Sequence, residues 1–288
     1  MYIEKPCLVT ISIPTYNAQN HLGLCLDAVL NQTYKDFEVN IVDGNSTDKT
    51  LLIAKQKGID NIIVCPDALL QARYEGVKAA KGEYVLLLDS DQVLKSDALE
   101  RALEKIAQGF DMLILGESSY ETRTLAENLF NSDKKVIHQA QDFSPLTGAI
   151  LPRFFKKSLL LQAFANIPQQ LLAKVGGEDH MIIYHEAYNL SEKVGFIPDA
   201  VSHIEPKSLI QVMKKAYIWG YTRKEAAVSD RYKTLLSREK ARLKMVFFSK
   251  AETKDKINSL ILLGLRGISG KLGFYKAKLD KCLRKSQS

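Results

Sequence analysis

Short apolar runs alternate with segments of helical spacing through the first half of the chain. Apolar runs without polar alternation are typical of strands buried on both faces, and the helices between them supply the crossovers of a parallel sheet. The pattern predicts an α/β fold with a doubly wound, mainly parallel sheet flanked by helices. The predicted strands are Leu8–Ile13, Val39–Val42, Ile62–Val64, Tyr84–Leu88, Met112–Leu115 and Val194–Ile197, and the predicted helices are Asn20–Leu30, Lys49–Lys57, Leu69–Ala80 and Asp97–Gln108.

The pattern becomes irregular between residues 117 and 175. Helical pieces remain at Thr124–Asn131 and Ser158–Ala165, separated by a stretch that contains glycine and proline. From residue 207 onward the spacing is helical again. We therefore predict two parts, an α/β domain at 1–206 and a helical extension at 207–288.

Charge divides the chain at the same place. The net charge is +7, but residues 207–288 hold 21 Lys and Arg against 6 Asp and Glu. An acidic body joined to a basic segment usually presents two kinds of surface. In the basic segment, apolar residues recur at steps of three and four, and they are Ile257, Leu260, Ile261, Leu265, Ile268, Leu272, Tyr275, Leu279 and Leu283.

A basic amphipathic helix of this kind suits the surface of an anionic membrane. The alternative is that these helices pack on the α/β domain and present a solvated basic face, and Gly264, Gly267 and Gly270 weaken the predicted helix. No recognised nucleic-acid module accompanies the charge, so nucleic acid is not an expected partner.

Other sequence features point to a cytoplasmic protein without a spanning helix. The four cysteines are scattered and form no C-x-x-C pair, which suggests a reducing compartment. Glu4, Lys5 and Pro6 precede the first apolar run, which is not the pattern of a signal peptide. No stretch of 18 apolar residues occurs, so a transmembrane helix is not expected.

Two carboxylates directly follow the predicted strand Tyr84–Leu88. Asp89 and Asp91 are spaced i, i+2 at the edge where a parallel sheet binds ligands. Such hard oxygen ligands suit Mg²⁺ or Mn²⁺, and the cation would hold a diphosphate and offset charge on a leaving group. The structural alternative is that Asp91 or Ser96 caps the following helix.

Polar segments also follow two other predicted strands. Pro14-Thr15-Tyr16-Asn17 follows the first strand, and Asp43 with Ser46-Thr47-Asp48 follows the second. An aspartate there can accept a hydrogen bond from a nucleobase N–H, although each segment alone is also explained as a turn and a helix cap. All three strand ends meet at one edge of the inferred sheet, which favours a shared binding site.

These motifs, in this order, resemble those of the inverting family 2 glycosyltransferases of the GT-A fold. The resemblance covers residues 8–205. It implies that Pro14, Thr15, Tyr16 and Asp43 line a nucleoside pocket and that Arg73 meets the base or the diphosphate. The segments that carry it are Pro14-Thr15-Tyr16-Asn17, Val42-Asp43, Ser46-Thr47-Asp48, Gln71-Ala72-Arg73, Lys81-Gly82-Glu83-Tyr84 and Leu88-Asp89-Ser90-Asp91.

The resemblance also implies a divalent cation, Mn²⁺ or Mg²⁺. Asp91 would be a metal ligand, and Asp89 would face the ribose or the metal. His203 follows a predicted strand at about the place where many GT-A enzymes use a histidine to complete the metal site or to contact the diphosphate. A purely structural histidine is the alternative.

Gly176-Gly177-Glu178-Asp179-His180 matches the Glu-Asp pair that opens a helix in the acceptor half of the family. Asp179 would be the catalytic base, because inversion needs a carboxylate that takes a proton from the attacking hydroxyl. Glu178 would orient a backbone group or the acceptor. A simple helix start is the alternative, since acids are favoured at that end.

The acceptor side is the less specific part of the resemblance. Thr147, Gly148 and Arg153 fall where relatives line that side of the cleft, although a plain turn also explains them. The Gln-x-x-Arg-Trp motif of processive synthases is missing, which favours the transfer of a single sugar per encounter.

The expected reaction is inverting transfer of a sugar from a nucleoside-diphosphate sugar to a hydroxyl of a lipid-linked or surface glycan. The protein is expected in the cytoplasm, as a peripheral protein on the inner face of the cell membrane. A polyprenyl-phosphate sugar synthase is an alternative, and so is a membrane-bound nucleotide-binding scaffold without catalysis. A sugar-nucleotide pyrophosphorylase is disfavoured because no Gly-rich basic loop follows the first strand.

Overall fold

A computed structural model describes residues 8–140, 143–145, 151–222, 231–232, 235 and 239–285. Within these residues, eight strands form a single mixed sheet. The strands are β1 (Val9–Thr15), β2 (Phe37–Asp43), β3 (Ile62–Val64), β4 (Tyr84–Leu87), β5 (Gln92–Leu94), β6 (Met112–Ser119), β7 (Phe154–Lys156) and β8 (Val194–His203).

Helices cover both faces of this sheet. Those before β8 are α1 (Leu22–Leu30), α2 (Thr50–Gln56), α3 (Leu69–Ala79), α4 (Ala98–Ala107), α5 (Leu125–Ala140), α6 (Lys157–Asn166), α7 (Gln169–Leu172) and α8 (Asp179–Tyr188). Those after it are α9 (Leu209–Thr222), α10 (Glu239–Phe248) and α11 (Thr253–Lys285).

The strand order is β3-β2-β1-β4-β7-β6-β8-β5. The first four strands in this order are parallel, as is the β6–β8 pair, which confirms the predicted mainly parallel α/β sheet. β7 is antiparallel to both β4 and β6, and β5 is antiparallel to β8. The sequence did not predict β5 or β7, which have three residues each.

The core lies on both sides of the sheet, which explains the continuous apolar runs. Along β4, Val85 and Leu87 face the layer that contains α3, α6 and α8, whereas Leu86 faces the layer that contains α1 and α4. Successive side chains of a strand point to opposite faces, so apolar residues are needed at neighbouring positions of a central strand such as β4.

Parallel pairing brings the carboxyl ends of the strands together. Thr15 at the end of β1 is paired in register with Asp43 at the end of β2. On the other side of β1, the backbone N–H of Leu88 donates to the carbonyl oxygen of Ser12 at 3.0 Å, so Asp89 follows at the same edge. The predicted meeting of the three strand ends is confirmed.

The helical segment after residue 207 packs against the α/β part. α11 runs without interruption from Thr253 to Lys285 and lies against α9 and α5. Ser132 of α5 donates a hydrogen bond to Asp255 of α11 at 2.6 Å, and Ser259 donates to Asp133 at 2.5 Å. None of the helices that the structure describes combines the length and the apolarity needed to cross a bilayer.

Glycine makes the closest approach between α9 and α11. A Cβ atom on Gly220 would collide with the carbonyl oxygen of Gly270, and one on Gly273 would collide with that of Tyr217. Gly264 has open space at the corresponding position. The glycines of α11 therefore do not interrupt the helix, and two of them allow it to contact α9 through the backbone.

We predict that Gly220→Ala lowers the free energy of unfolding by about 1–3 kcal/mol, because a backbone carbonyl cannot rotate out of the way. The matched control is Gly264→Ala, which we expect to raise stability by up to about 1 kcal/mol through helix propensity. Urea unfolding followed by circular dichroism measures both. Equal stability of the two variants would contradict the close α9–α11 contact.

Candidate functional site

A cavity of about 960 Å³ opens at the carboxyl ends of the central strands. One side is formed by the α/β part, and the other is formed by α9, α10 and α11. The predicted residues Pro14, Asp89, Asp91, Asp179 and His203 all line it. Side chains that are far apart in the sequence thus meet in one cavity, at the sheet edge where such folds bind ligands.

Arg73 of α3 joins two of the candidate carboxylates. Its Nε donates to Asp179 Oδ2, and its Nη2 lies 2.5 Å from Asp89 Oδ1. The arginine side chain is 1% exposed, so both ion pairs are shielded from water. Only a guanidinium group offers several donors in a fixed plane, which lets one side chain hold two carboxylates.

Arg153, immediately before β7, holds the other oxygen of Asp89. Its Nη1 lies 2.7 Å from Asp89 Oδ2 and also contacts Nε2 of His180. Both oxygens of Asp89 are therefore engaged by arginines. Each carboxylate oxygen has a second lone pair, so a cation could still bind there, and the role of Asp89 as a metal ligand stays a prediction.

The arginines control the charge state of their partners. Burial alone would raise the pKa of Asp89, but the positive charges of Arg153 and Arg73 hold it well below its usual range. Burial likewise opposes ionisation of Asp179, and Arg73 again lowers its pKa. Burial and the two arginines lower the pKa of His180 to about 4, so its imidazole is neutral at pH 7.

Asp91 has a different set of neighbours. Its Oδ1 lies 3.4 Å from Nε2 of His203 on β8, and its Oδ2 lies 3.4 Å from Nζ of Lys215 on α9. Burial would raise the pKa of Asp91, but His203 and Lys215 lower it. Burial would lower the pKa of His203, but Asp91 and Glu205 raise it. Asp91 and His203, both predicted as metal ligands, are therefore neighbours.

The residues of this pair fit a cation only in part. Within the described ranges, no group of three or more His, Cys, Asp or Glu side chains is arranged to hold a metal ion. Asp91 and His203 offer one carboxylate and one imidazole at the cavity wall. Mg²⁺ and Mn²⁺ sites in enzymes commonly use one or two carboxylates together with phosphate oxygens of the substrate. The pair therefore fits a site that is completed by a bound diphosphate.

Asp179 is the first residue of α8, and the residue before it has an unusual backbone. Glu178 has φ 67°, in the left-handed region that non-glycine residues rarely adopt. Gly176 and Gly177 precede it and line the same cavity. The tight turn sets the entry to α8 and places Asp179 against Arg73, and left-handed residues of this kind are concentrated at functional sites.

The predicted nucleoside residues lie at the ends of β1 and β2. Asp43 is fully buried and accepts hydrogen bonds from the hydroxyl of Thr15 at 2.8 Å and from the backbone N–H of Ser46 at 2.7 Å. Tyr16 is 69% exposed. The two loops are also joined by Asn17, whose side-chain oxygen accepts a hydrogen bond from the N–H of Thr47 at 2.9 Å. Both loops are therefore held in place by the protein itself.

The prediction of the site from the sequence was incomplete on the acceptor side and around Asp91. Thr147 and Gly148, predicted on the acceptor side, lie outside the described residues. Arg153, predicted for the same side, contacts Asp89, and its role on the acceptor side stays a prediction. Lys215 at Asp91 was not predicted as a site residue, and the only signal for it was its place in a basic amphipathic segment.

Comparison with known proteins extends this description. The sequence model described as "Glycosyl transferase family 2" matches residues 10–124. The poly(ribitol-phosphate) beta-glucosyltransferase of Bacillus spizizenii is 28% identical over 221 residues, which cover 73% of this chain and 34% of that protein. The chain thus spans about a third of the length of this curated relative.

Solved structures share the fold at low sequence identity. The crystal structure of S. aureus TarS 1-349 has a TM-score of 0.55 at 19% identity and covers 92% of this chain and 81% of its own. The mannosyltransferase PcManGT from Pyrobaculum calidifontis, solved in complex with GDP-Man and Mn²⁺, has a TM-score of 0.57 at 18% identity and covers 97% and 80%. These similarities confirm the GT-A architecture.

We predict that Arg73→Met lowers the free energy of unfolding by about 3–5 kcal/mol, because it leaves two buried carboxylates without their shared cation. The control is Lys57→Met, which removes a cation from an exposed pair with Asp27 and should cost less than about 1 kcal/mol. Urea unfolding at pH 7 compares them. Similar losses in the two variants would contradict the central role of Arg73.

Proposed function

The chain belongs to glycosyl transferase family 2, and on this premise we propose that it transfers a single sugar, with inversion, from a nucleoside-diphosphate sugar to an acceptor hydroxyl. One observation carries the proposal. Asp89, Asp91 and Asp179 line a single cavity at the carboxyl edge of the sheet, and Arg73 joins two of them.

The sugar donor would bind with its nucleoside at the ends of β1 and β2. Pro14, Thr15 and Tyr16 would line the nucleoside pocket, and Asp43 would accept a hydrogen bond from the base. The loop-to-loop hydrogen bonds around Asn17 support this role, since a prearranged pocket loses less conformational freedom on binding.

Asp89, held by Arg73 and Arg153, would face the ribose. Its two ion pairs fix the carboxylate, and the same arginines bring positive charge towards the diphosphate. Arginine suits this role because its planar group can bind a carboxylate and a phosphate at once. Arg153 would therefore act on the sugar-donor side, in addition to the acceptor side predicted from the sequence.

A divalent cation, Mn²⁺ or Mg²⁺, would be held by Asp91 and His203, with Asp89 as the further predicted ligand. When bound, it supplies positive charge to the leaving diphosphate. Lys215 stands 3.4 Å from Asp91 and would add a second positive charge near the same group.

Asp179 would act as the general base. As the acceptor oxygen forms its bond to the anomeric carbon, the hydroxyl proton passes to the carboxylate, and the bond between that carbon and the diphosphate oxygen breaks. The electron pair leaves with the nucleoside diphosphate. Arg73 keeps Asp179 ionised before the reaction, because it lowers the pKa of the carboxyl group. Glu178 would orient the acceptor.

The acceptor would be a lipid-linked or surface glycan, reached at the inner face of the cell membrane by a peripheral enzyme. We retain the division into a catalytic part at 1–206 and a basic helical extension at 207–288. A polyprenyl phosphate is the alternative acceptor, and a nucleotide-binding scaffold without catalysis is the alternative of another class. The buried Asp179–Arg73 pair favours catalysis over a scaffold, because burying two charges is costly.

We expect Asp91→Ala to abolish the cation-dependent part of sugar-donor binding. Isothermal calorimetry with UDP-, GDP- and dTDP-sugars, with and without Mn²⁺, measures it. The matched control is Asp60→Ala, an exposed aspartate away from the cavity, which should bind as the wild type does. Mn²⁺-dependent binding that is unchanged in Asp91→Ala would contradict the proposed cation site.

We expect Asp179→Asn to lower the transfer rate by roughly 10²–10⁴-fold while sugar-donor binding is retained, because the amide cannot accept the proton. The measurement is release of nucleoside diphosphate in the presence of the acceptor, beside calorimetry on the same variant. Normal turnover by Asp179→Asn would remove the base assignment. Donor binding without turnover in the wild type, over the whole sugar panel, would favour the scaffold.

A further inference from the structure

One face of α11 carries a row of large apolar side chains that the fold leaves exposed. Their exposed fractions run from 48% at Ile261 to 64% at Ile268. Successive members are three, four or seven residues apart, so at 100° per residue they fall within one narrow face of the helix. We name them the α11 row, and they are Ile257, Ile261, Ile268, Leu272, Tyr275, Leu279 and Leu283.

The α11 row lies away from the side of the helix that packs on the rest of the protein. The buried positions of α11, within its described residues, lie roughly 40–180° around the axis from the members of the row, and they are Asp255, Ser259, Leu262, Ser269, Gly273 and Ala277. From Ile257 to Leu283 the row extends for roughly 40 Å at 1.5 Å per residue. At the end of α10, a few residues before α11 begins, Phe247 and Phe248 add two rings that are 65% and 84% exposed.

An apolar strip of this length is larger than the scattered exposed residues of an ordinary surface and marks an interaction site. Its surroundings are basic. Lys254, Lys271, Lys276 and Lys278 of α11 are exposed. The acids of α11 are Asp255, which is buried and bonded to Ser132, and Asp280, which is paired with Lys276. The face therefore combines exposed apolar groups with a positive border.

The neighbouring face of α11 forms a wall of the catalytic cavity. Gly264, Gly267 and Lys271 line the cavity, and Ile268 belongs both to this lining and to the α11 row. Opposite them, Trp219 of α9 lines the cavity and is 42% exposed. The exposed row and the lining of the cavity are thus continuous at Ile268.

We propose that the α11 row rests on an anionic lipid surface and places the opening of the cavity at that surface, so that an acceptor carried on a lipid enters directly from the membrane. This inference rests on the proposed function, and it specifies that the acceptor is attached to a membrane lipid. Apolar side chains enter the boundary between headgroups and acyl chains, while lysines contact anionic headgroups. A second copy of the chain fits less well, because two basic borders would repel each other.

The first test is co-sedimentation of the full chain with vesicles. Vesicles of phosphatidylglycerol and phosphatidylcholine are compared with vesicles of phosphatidylcholine alone, at low and high salt. We expect the wild type to bind the anionic vesicles. The double variant Leu272→Ser with Leu279→Ser should bind them at least roughly ten-fold more weakly. The control pair is Leu52→Ser with Val64→Ser, which are 52% and 62% exposed on α2 and β3.

The second test uses Trp219, which is the one tryptophan of the sequence. Vesicles that contain brominated phosphatidylcholine quench tryptophan at the lipid boundary. We expect quenching in the wild type and in the control pair, and little in the Leu272 and Leu279 variant. Strong vesicle binding without quenching of Trp219 would overturn the placement of the cavity at the membrane.

Absence of vesicle binding by the wild type would overturn the proposal. If the wild type binds neither vesicle, and substitution of Leu272 and Leu279 converts a dimer to a monomer in size-exclusion chromatography, the α11 row is an interface between copies. Sugar-donor calorimetry on the same samples tests the proposed function separately from the proposed membrane surface. Vesicle binding without binding of any sugar donor leaves the membrane surface standing and removes the proposed function.

Discussion

The buried contact of Arg73 with Asp89 and Asp179 is the interaction on which the site depends. It connects α3, the end of β4 and the start of α8. Removing two carboxylates from water is unfavourable unless a cation is placed between them, and a planar guanidinium group meets that need in one side chain. The position of the candidate base is thereby tied to the strand that carries the candidate ribose contact.

The sequence predicted the parts of this arrangement that depend on backbone direction. Parallel strands end at one edge, so residues after β1, β2 and β4 had to converge, and Asp91 and His203 are indeed neighbours. It did not predict which charged groups pair. Arg153 turns towards Asp89 because β7 inserts between β4 and β6, and that short antiparallel strand leaves no periodic signal.

Similar limits apply to the basic segment. The spacing of apolar residues predicted a helix with an apolar stripe, and α11 has one. The spacing could not tell which apolar residues are covered, since that depends on where α9 and α5 contact the helix. Leu262 is buried in a cluster with residues of α5 and α9, whereas Ile257 and Leu272 are exposed. The periodicity of apolar residues defines the apolar face of a helix, and tertiary contacts decide which residues of that face are buried.

The crossing of Gly220 with Gly270 has a consequence for how one wall of the cavity can move. Two backbones touch there without a side chain between them, so no rotamer change can alter the distance between α9 and α11. The two helices form a wall that moves as a unit, and a shift of α11 away from α5 would separate Asp133 and Asp255 from their serine partners.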